Sequence, residues 1–301
     1  MKDALHALST VRDVLRFAVS RFNETGLSFG HGTASAWDEA VYLVLHTLHL
    51  PIDRLDPFLD ARLTAGELDA LFAVIRWRVE KRVPSAYLTG EAWLGEYRFK
   101  VDPRVIVPRS FIAELLFERL QPWITHPDRI VRVLDLCTGS ACLAIIAADA
   151  FPNATVDAVD VAPGALEVAR GNVNDYGLAD RVRIIESDLF ARLGKTRYDL
   201  IISNPPYVAD VAMARLPGEY LHEPRIALTG GVDGLDVVRR IVAAAPAALK
   251  RGGVLVVEVG HERAHFEAAF PKLECTWLTT SGGDDMVFCA RAADLVRANA
   301  R

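Results

Sequence analysis

Residues 198–207 read Tyr-Asp-Leu-Ile-Ile-Ser-Asn-Pro-Pro-Tyr. The apolar first half of this stretch is typical of a buried strand, and the second half stops that strand abruptly. Two consecutive prolines fix φ and remove two backbone donors, and each favours extended geometry in the residue before it. The stretch therefore predicts a strand over 198–203 that opens into a rigid turn carrying one amide side chain and one aromatic ring.

The turn itself, Asn204-Pro205-Pro206-Tyr207, carries the chemistry of this stretch. The side-chain oxygen of Asn204 and the carbonyls of the prolyl segment are acceptors that suit a planar NH2 group, which donates two hydrogen bonds. The ring of Tyr207 can then pack against the face of that planar group. A plain turn after a strand is the simpler interpretation of so short a motif, so the surrounding sequence has to decide between the two.

Strands and helices alternate on both sides of this stretch. Strands are predicted over 130–135, 154–160, 181–188, 198–203 and 253–259, with final strands over 275–279 and 286–290. Helices are predicted over 143–150, 165–174 and 237–249. This alternation indicates an α/β fold with a parallel sheet covered by helices on both faces. Right-handed crossovers place the carboxyl ends of the strands on one edge, where ligands bind.

The first of these strands ends in the turn Asp135-Leu-Cys-Thr-Gly-Ser-Ala-Cys-Leu143. Its small residues let a ligand approach the backbone closely, and the helix that follows offers free N–H groups. The candidate cofactor-binding residues in this turn are Asp135, Thr138, Gly139 and Ser140.

Three further strand ends add polar side chains to the same edge. Asp160 can accept hydrogen bonds from both ribose hydroxyls of a nucleoside cofactor. Asp188 can accept from an exocyclic adenine amine while Leu189 or Phe190 covers the ring. Each aspartate alone fits a capping or turn residue. Together, at successive strand ends with Asn204 on the fourth, they indicate one crevice for a nucleoside cofactor.

Two common classes of nucleotide-binding enzyme lack support in the sequence. The pattern Gly-x-x-x-x-Gly-Lys-Ser/Thr is absent, which argues against a phosphate-transfer enzyme. The pattern Gly-x-Gly-x-x-Gly of nicotinamide-binding enzymes is also absent, and a hydride-transfer enzyme has no need of the Pro-Pro turn.

Residues 1–90 are predicted to form a helical domain, residues 91–112 a β-hairpin connector, and residues 113–301 the sheet domain. Ser35 and Thr64 are predicted N-caps, the latter with Glu67 in a capping box. The hairpin is predicted to pair 97–101 with 105–107, and Ser110 to cap a helix that extends through Leu120. The helix from Ala65 to about Lys81 is predicted to carry a basic outer face of Arg76, Arg78, Lys81 and Arg82.

Bulk composition is ordinary for a globular protein. The net charge of −5 gives no electrostatic attraction to nucleic acid. The four cysteines form no Cys-x-x-Cys pair, and we expect reduced thiols with neither disulfides nor a metal site. The N-terminus has no signal-peptide pattern and no segment is apolar over the length of a membrane span, so a cytoplasmic protein is expected.

These motifs resemble those of class I S-adenosylmethionine methyltransferases, and more closely the HemK-like protein-glutamine methyltransferases. The resemblance covers nearly the whole chain. Besides Asn204-Pro205-Pro206-Tyr207, the segments that carry it are 29–33, 36–42, 87–93, 105–110, 222–225, 230–235 and 258–260. Where release-factor enzymes of the family have Pro-Arg-Pro-Glu-Thr, this chain has Pro108-Arg-Ser-Phe-Ile112. This departure favours the branch that methylates a glutamine of the third large-subunit ribosomal protein.

The resemblance implies a Rossmann-like, seven-stranded, mostly parallel sheet, with S-adenosyl-L-methionine as cofactor and an N-terminal domain that recognises the protein substrate. It implies that Asn204, Pro205, Pro206 and Tyr207 form the catalytic motif. The partner would be the ribosomal protein, free or within an assembling subunit, with no membrane and no direct nucleic-acid contact. Phe111 and Ala141 depart from the family pattern, where proline and glycine are expected. Release-factor methylation, adenine methylation of DNA and a ribosome-assembly binding module without turnover remain as alternatives.

Overall fold

The computed structural model describes residues 8–299. The chain divides into two units. The first, which we call the helical unit, comprises Met1–Ala92 and Pro217–His222. The second, the sheet unit, comprises Trp93–Leu216 and Glu223–Arg301.

The helical unit contains α1 (Val11–Glu24), α2 (Ala36–Thr47), α3 (Ala65–Lys81) and α4 (Ser85–Thr89). Both predicted caps are confirmed: the Ser35 hydroxyl accepts from the Asp38 N–H, and Thr64 forms a capping box with Glu67. The apolar faces of α1, α2 and α3 meet in one core. Its buried members are Val11, Val14, Leu15, Ala18, Phe22, Leu27, Ala36, Ala40, Leu43, Val44, Leu71 and Ile75.

The predicted basic outer face of α3 is wrong at Arg78. This side chain is 1% exposed and lies between two carboxylates of the helical unit. Its Nε donates to Glu39 Oε1 at 2.5 Å and its Nη1 to Glu219 Oε1 at 3.0 Å. Helical spacing alone put Arg78 beside Arg76 on the surface, whereas the carboxylates that draw it inward are far away in sequence.

The sheet unit contains a seven-stranded sheet in the order β5-β4-β3-β6-β7-β9-β8. Its strands are β3 (Arg132–Leu136), β4 (Thr155–Asp160), β5 (Val182–Glu186), β6 (Tyr198–Ser203), β7 (Leu249–Glu258), β8 (Thr276–Thr280) and β9 (Gly283–Arg291). The helices are α5 (Ile112–Phe117), α6 (Cys142–Ala150), α7 (Pro163–Asp175), α8 (Asp210–Met213), α9 (Asp236–Ala248), α10 (Arg263–Ala269) and α11 (Ala292–Asn299).

The pairing of this sheet confirms the predicted α/β fold. Strands β5, β4, β3, β6 and β7 are parallel, and β9 pairs antiparallel with both β7 and β8. The strand order reverses between β4 and β6, on either side of β3. Ligands bind at such a switch point, outside the carboxyl ends of the strands.

The predicted hairpin has a different partner. Its first predicted strand exists as β2 (Tyr97–Lys100), but β2 pairs with β1 (Glu91–Leu94) and not with 105–107. Within residues 8–299 the predicted second strand pairs with no other strand. Two of its N–H groups have other acceptors: Val107 donates to Glu223 Oε1 at 3.0 Å and Val105 to the Asp102 carbonyl at 3.1 Å.

The helix predicted to follow Ser110 is shorter than expected. The Ser110 hydroxyl accepts from the Ile112 N–H at 3.2 Å, so it satisfies a donor of the first turn of α5. The helix ends at Phe117, and Arg119 and Leu120 adopt φ values of 53° and 55°. Because these left-handed conformations cannot continue a right-handed helix, the predicted extension through Leu120 is wrong.

Candidate functional site

A cavity of about 260 Å³ opens at the carboxyl edge of the sheet, at the strand-order reversal. All residues that line it belong to the sheet unit. The structure brings six of the residues singled out from the sequence to this cavity, from four different strand ends. These residues are Gly139, Asp160, Asp188, Leu189, Asn204 and Pro206.

The other residues singled out from the sequence do not line the cavity. Asp135 and Thr138 are buried, and the Thr138 hydroxyl donates to Asp135 Oδ2 at 2.5 Å. Ser140 is also buried, with its carbonyl accepting from Asn172 Nδ2 at 2.9 Å. Pro205 is buried and Tyr207 half-buried. Thr138 and Ser140 therefore lie on the buried side of the turn after β3.

The carboxylate of Asp135 has an electrostatic environment of its own. Burial raises its pKa to about 7, the Thr138 hydrogen bond opposes the shift, and the nearby Asp160 carboxylate adds to it. Its Oδ1 atom is buried and receives no hydrogen bond from residues 8–299. A buried acceptor without a donor is costly, so this atom is suited to a polar or cationic group of a ligand.

Asp160 ties the turn after β3 to the end of β4. Its Oδ2 accepts from the Gly139 N–H and its Oδ1 from the Ala162 N–H, both at 2.9 Å. Burial raises the pKa of this carboxyl. Since a carboxylate has about four lone-pair sites, each oxygen can still accept a hydroxyl donor from a ligand in the cavity.

The backbone of the same turn is unusual at two non-glycine residues. Cys137 and Ala141 have φ values of 59° and 64°, a region that costs an L-residue roughly 1–2 kcal/mol. The conformation at Ala141 explains why glycine is expected there. At Gly139, a cavity-lining residue with φ of 55°, an added Cβ would meet nothing within 4 Å, so a ligand can approach the backbone closely.

Asp188 has a partner that the sequence did not predict. Arg240 of α9 donates to Asp188 Oδ2 at 2.7 Å, and both residues line the cavity. Each side chain remains 55% exposed, so the pair lies at the cavity mouth. The two residues are 52 positions apart on different elements, and no sequence motif connects them.

The turn after β6 presents an acceptor next to this cavity. Asn204 Oδ1 is buried and, among residues 8–299, accepts no hydrogen bond. Asn204 and Pro206 both line the cavity. The hydroxyl of Tyr207 donates to Glu258 Oε1 at 2.9 Å, which links the turn to the end of β7. Glu258 lies in segment 258–260, one of those that carry the family resemblance, but no role was predicted for it.

Two further walls of the cavity come from irregular segments. Residues 104–106 and a loop that includes Pro224, Ile226, Ala227 and Thr229 both line it. Arg109 and Glu223 join these segments, with Arg109 Nη1 and Nη2 donating to Glu223 at 2.5 and 2.7 Å. Sequence reasoning assigned residues 105–107 to a strand and so did not identify this wall.

The residues around the cavity fit a nucleoside cofactor next to an amide or amino substrate. Acceptors are provided by carboxylates at three strand ends and by Asn204 Oδ1, which receives no hydrogen bond from the part of the chain that the structure describes. Gly139 lets a ligand approach the backbone closely. Among residues 8–299, no group of three or more His, Cys, Asp or Glu side chains is placed to hold a metal ion. Within the same residues, no helix is both long and apolar enough to cross a membrane.

Comparisons with known proteins agree with this arrangement. A family model described as a methyltransferase small domain matches residues 112–231. The ribosomal protein uL3 glutamine methyltransferase of Burkholderia pseudomallei (strain K96243) is 58% identical over 293 residues, 95% of each chain. That of Bordetella pertussis (strain Tohama I) is 59% identical over 280 residues, 93% of this chain and 94% of the relative.

Solved structures show the same fold. The catalytic domain of hMettl16, solved in complex with the MAT2A 3'UTR hairpin 6, is similar with a TM-score of 0.50 at 15% identity. The similarity covers 75% of this chain and 81% of that one. At this level of identity the likeness shows the fold of the sheet and its helices.

Proposed function

Because this chain belongs to the family of ribosomal protein uL3 glutamine methyltransferases, we propose that it methylates the side-chain amide nitrogen of a glutamine in ribosomal protein uL3, with S-adenosyl-L-methionine as methyl donor. The observation that carries this proposal is Asn204 Oδ1 at the cavity, a buried atom that accepts no hydrogen bond from the described residues 8–299. A buried acceptor of this kind suits an incoming NH2 donor, and a glutamine side chain provides one.

The residues at the strand ends fit this cofactor. Asp160 would accept the ribose hydroxyls, Asp188 with Leu189 would hold the adenine, and Asp135 would face the charged amino-acid portion from behind the turn. Gly139 would allow close approach of the backbone. When bound, S-adenosylmethionine supplies a methyl group made electrophilic by its sulfonium.

The residues of the turn after β6 orient the substrate amide. An amide nitrogen is a poor nucleophile because its lone pair is delocalised, so positioning must supply much of the rate. Asn204 Oδ1 and the Pro205 carbonyl accept the two amide hydrogens, which increases electron density on nitrogen and aims it at the methyl group. Tyr207 packs on the amide plane. The methylated amide then loses one proton to water.

Replacement of Asn204 tests the role of its oxygen. Asn204→Ala removes the acceptor, and we expect turnover to fall by about 10²–10³-fold, as for other preorganised polar contacts. Cofactor affinity should stay close to that of the wild type because the carboxylates remain. Single-turnover methylation and calorimetric binding of S-adenosylmethionine measure the two effects. Asn174→Ala, an exposed residue on α7, is the matched control. Near wild-type methylation by Asn204→Ala would refute the assignment.

The substrate is identified by label transfer. Purified protein is incubated with labelled S-adenosylmethionine and, separately, with ribosomal proteins from an unmethylated strain, with peptide release factors and with DNA. We expect label on uL3, in a glutamine located by mass spectrometry. Label only on a release factor or on adenine would assign the protein to one of the alternative substrates, and no label anywhere would favour a binding module.

A further inference from the structure

Glu258 is a buried carboxylate at the carboxyl end of β7, next to the turn that carries Asn204. Its side chain is 1% exposed, and burial raises its pKa. A charged group in such surroundings is costly unless it is well hydrogen-bonded. Glu258 does not line the cavity, and the mechanism above gives it no part.

Three donors converge on this carboxylate. Glu258 Oε2 accepts from the Ser110 hydroxyl at 2.7 Å and from the Phe111 N–H at 3.0 Å. Its Oε1 accepts from the Tyr207 hydroxyl at 2.9 Å. The Ser110 oxygen itself accepts from the Ile112 N–H, so its proton is available to Glu258. All three partners are donors, as an ionised carboxylate requires. The Tyr207 hydroxyl therefore points its proton towards Glu258 Oε1.

The ring of Tyr207 is also confined by Gly260. A Cβ added at Gly260 would lie 2.5 Å from Tyr207 Cε2, so the ring packs directly against this glycine. A tyrosine side chain has only two rotatable χ angles, and here the hydroxyl and one edge of the ring are both held. Since Tyr207 follows Pro206, the rigid turn fixes the other end of the residue.

We propose that Glu258 is a positioning residue that acts through the Tyr207 hydroxyl, holding the ring in the orientation in which it packs on the substrate amide. The inference rests on the proposed function, because that proposal has the Tyr207 ring pack on the substrate amide. A small displacement of a positioning group is enough to slow a reaction about 10²-fold, because the reacting atoms must be aligned before transfer.

Glu258→Gln, Tyr207→Phe and the double variant test this route. Glutamine keeps the length of the side chain, and its oxygen can retain Ser110 and Phe111, but its NH2 group then faces the Tyr207 hydroxyl. We expect each single variant to lower kcat by about tenfold to a hundredfold. The KM for uL3 and the Kd for S-adenosylmethionine should change little. The double variant should be no slower than the slower single variant, because both changes remove the hydrogen bond that the Tyr207 hydroxyl donates to Glu258 Oε1.

A spectroscopic measurement gives a readout that does not need activity. In protein with 13C-labelled tyrosine rings, the Tyr207 signal is identified by its loss in Tyr207→Phe. We expect this signal to shift and narrow in Glu258→Gln as the ring gains motion. Glu186→Gln, at the exposed carboxyl end of β5, is the matched control and should leave both the signal and kcat unchanged.

A second pair of variants approaches the ring from its other side. Gly260→Ala crowds the ring, whereas Gly252→Ala also has a positive φ, of 82°, but its Cβ would meet nothing within 4 Å. We expect Gly260→Ala to lower kcat and to shift the Tyr207 signal, and Gly252→Ala to do neither. If Glu258→Gln does not fold, Tyr207→Phe, which removes the same hydrogen bond from the other partner, decides the matter together with this pair.

Several outcomes would overturn the proposal. A folded Glu258→Gln with wild-type kcat and an unchanged Tyr207 signal excludes positioning by Glu258. A double variant whose loss equals the product of the single losses shows that Glu258 acts independently of the hydroxyl. Failure of the proposed function can be distinguished from failure of this inference. In that case the wild-type protein itself transfers no label to any glutamine.

Discussion

The buried Asp135 carboxyl, a candidate cofactor-binding residue, affects the stability of the protein. Its carboxyl has a pKa of about 7 in the folded protein, mainly because of burial, against about 3.9 in an unfolded chain. Between these values the unfolded chain releases a proton that the folded protein keeps. The contribution of Asp135 to stability is therefore fully present below the unfolded pKa and is lost as pH rises through the folded pKa.

We predict that Asp135→Asn stabilises the cofactor-free protein at pH 8 by on the order of 2–4 kcal/mol, and that this difference shrinks towards pH 4. The asparagine carries no charge that burial could penalise. Urea unfolding of both proteins at several pH values measures the effect. Asp53→Asn, at an exposed position, is the control. Equal pH dependence in wild type and Asp135→Asn would contradict the prediction.

The position of a single site residue could be predicted from the sequence where it depends on a local pattern. Asp160 and Asn204 follow strands whose ends can be recognised, so their presence at one cavity could be predicted. Ala141 departs from the family pattern, where glycine is expected, and its φ of 64° shows a conformation that favours glycine. Arg240 could not be predicted, because its pairing with Asp188 depends on how α9 packs and not on a local pattern.

At the scale of the element, the packing of α3 depends on the buried guanidinium of Arg78. Arg78→Met leaves Glu39 and Glu219 without their shared buried cation, and we expect a loss of about 3–5 kcal/mol in the free energy of unfolding. Arg76→Met, two residues away on the exposed face, should change it by less than about 0.5 kcal/mol. Urea unfolding of both variants measures the difference. Equal effects at the two positions would show that the buried pairs are not needed.

Strands were predicted correctly where burial on both faces of the sheet gives a continuous apolar run. Strand β6 occupies the residues predicted for it, because a short apolar run ends at two prolines. The hairpin was wrong because residues 105–107 have the composition of a strand. The Val107 N–H donates instead to Glu223, 116 residues away, and a partner so distant in the chain cannot be read from the local sequence.

For the whole molecule, we propose that residues 1–90 form a substrate-recognition domain, residues 91–112 a connector, and residues 113–301 the methyltransferase domain. Every residue that lines the cavity lies between Arg104 and Arg240. A fragment of residues 91–301 should therefore bind S-adenosylmethionine almost as tightly as the full chain, yet fail to methylate uL3. Calorimetry and label transfer measure both, with circular dichroism as the control for folding. Methylation of uL3 by the fragment at the full rate would contradict the proposal.

The membership of Pro217–His222 in the helical unit has a practical consequence for engineering. Its Glu219 supplies the second carboxylate of Arg78, and its N-terminal neighbours in the chain belong to the sheet unit. Transplanting residues 1–92 alone onto another enzyme would thus remove one of the two carboxylates to which the buried Arg78 guanidinium donates. A functional chimera therefore has to import the six residues Pro217–His222 as well.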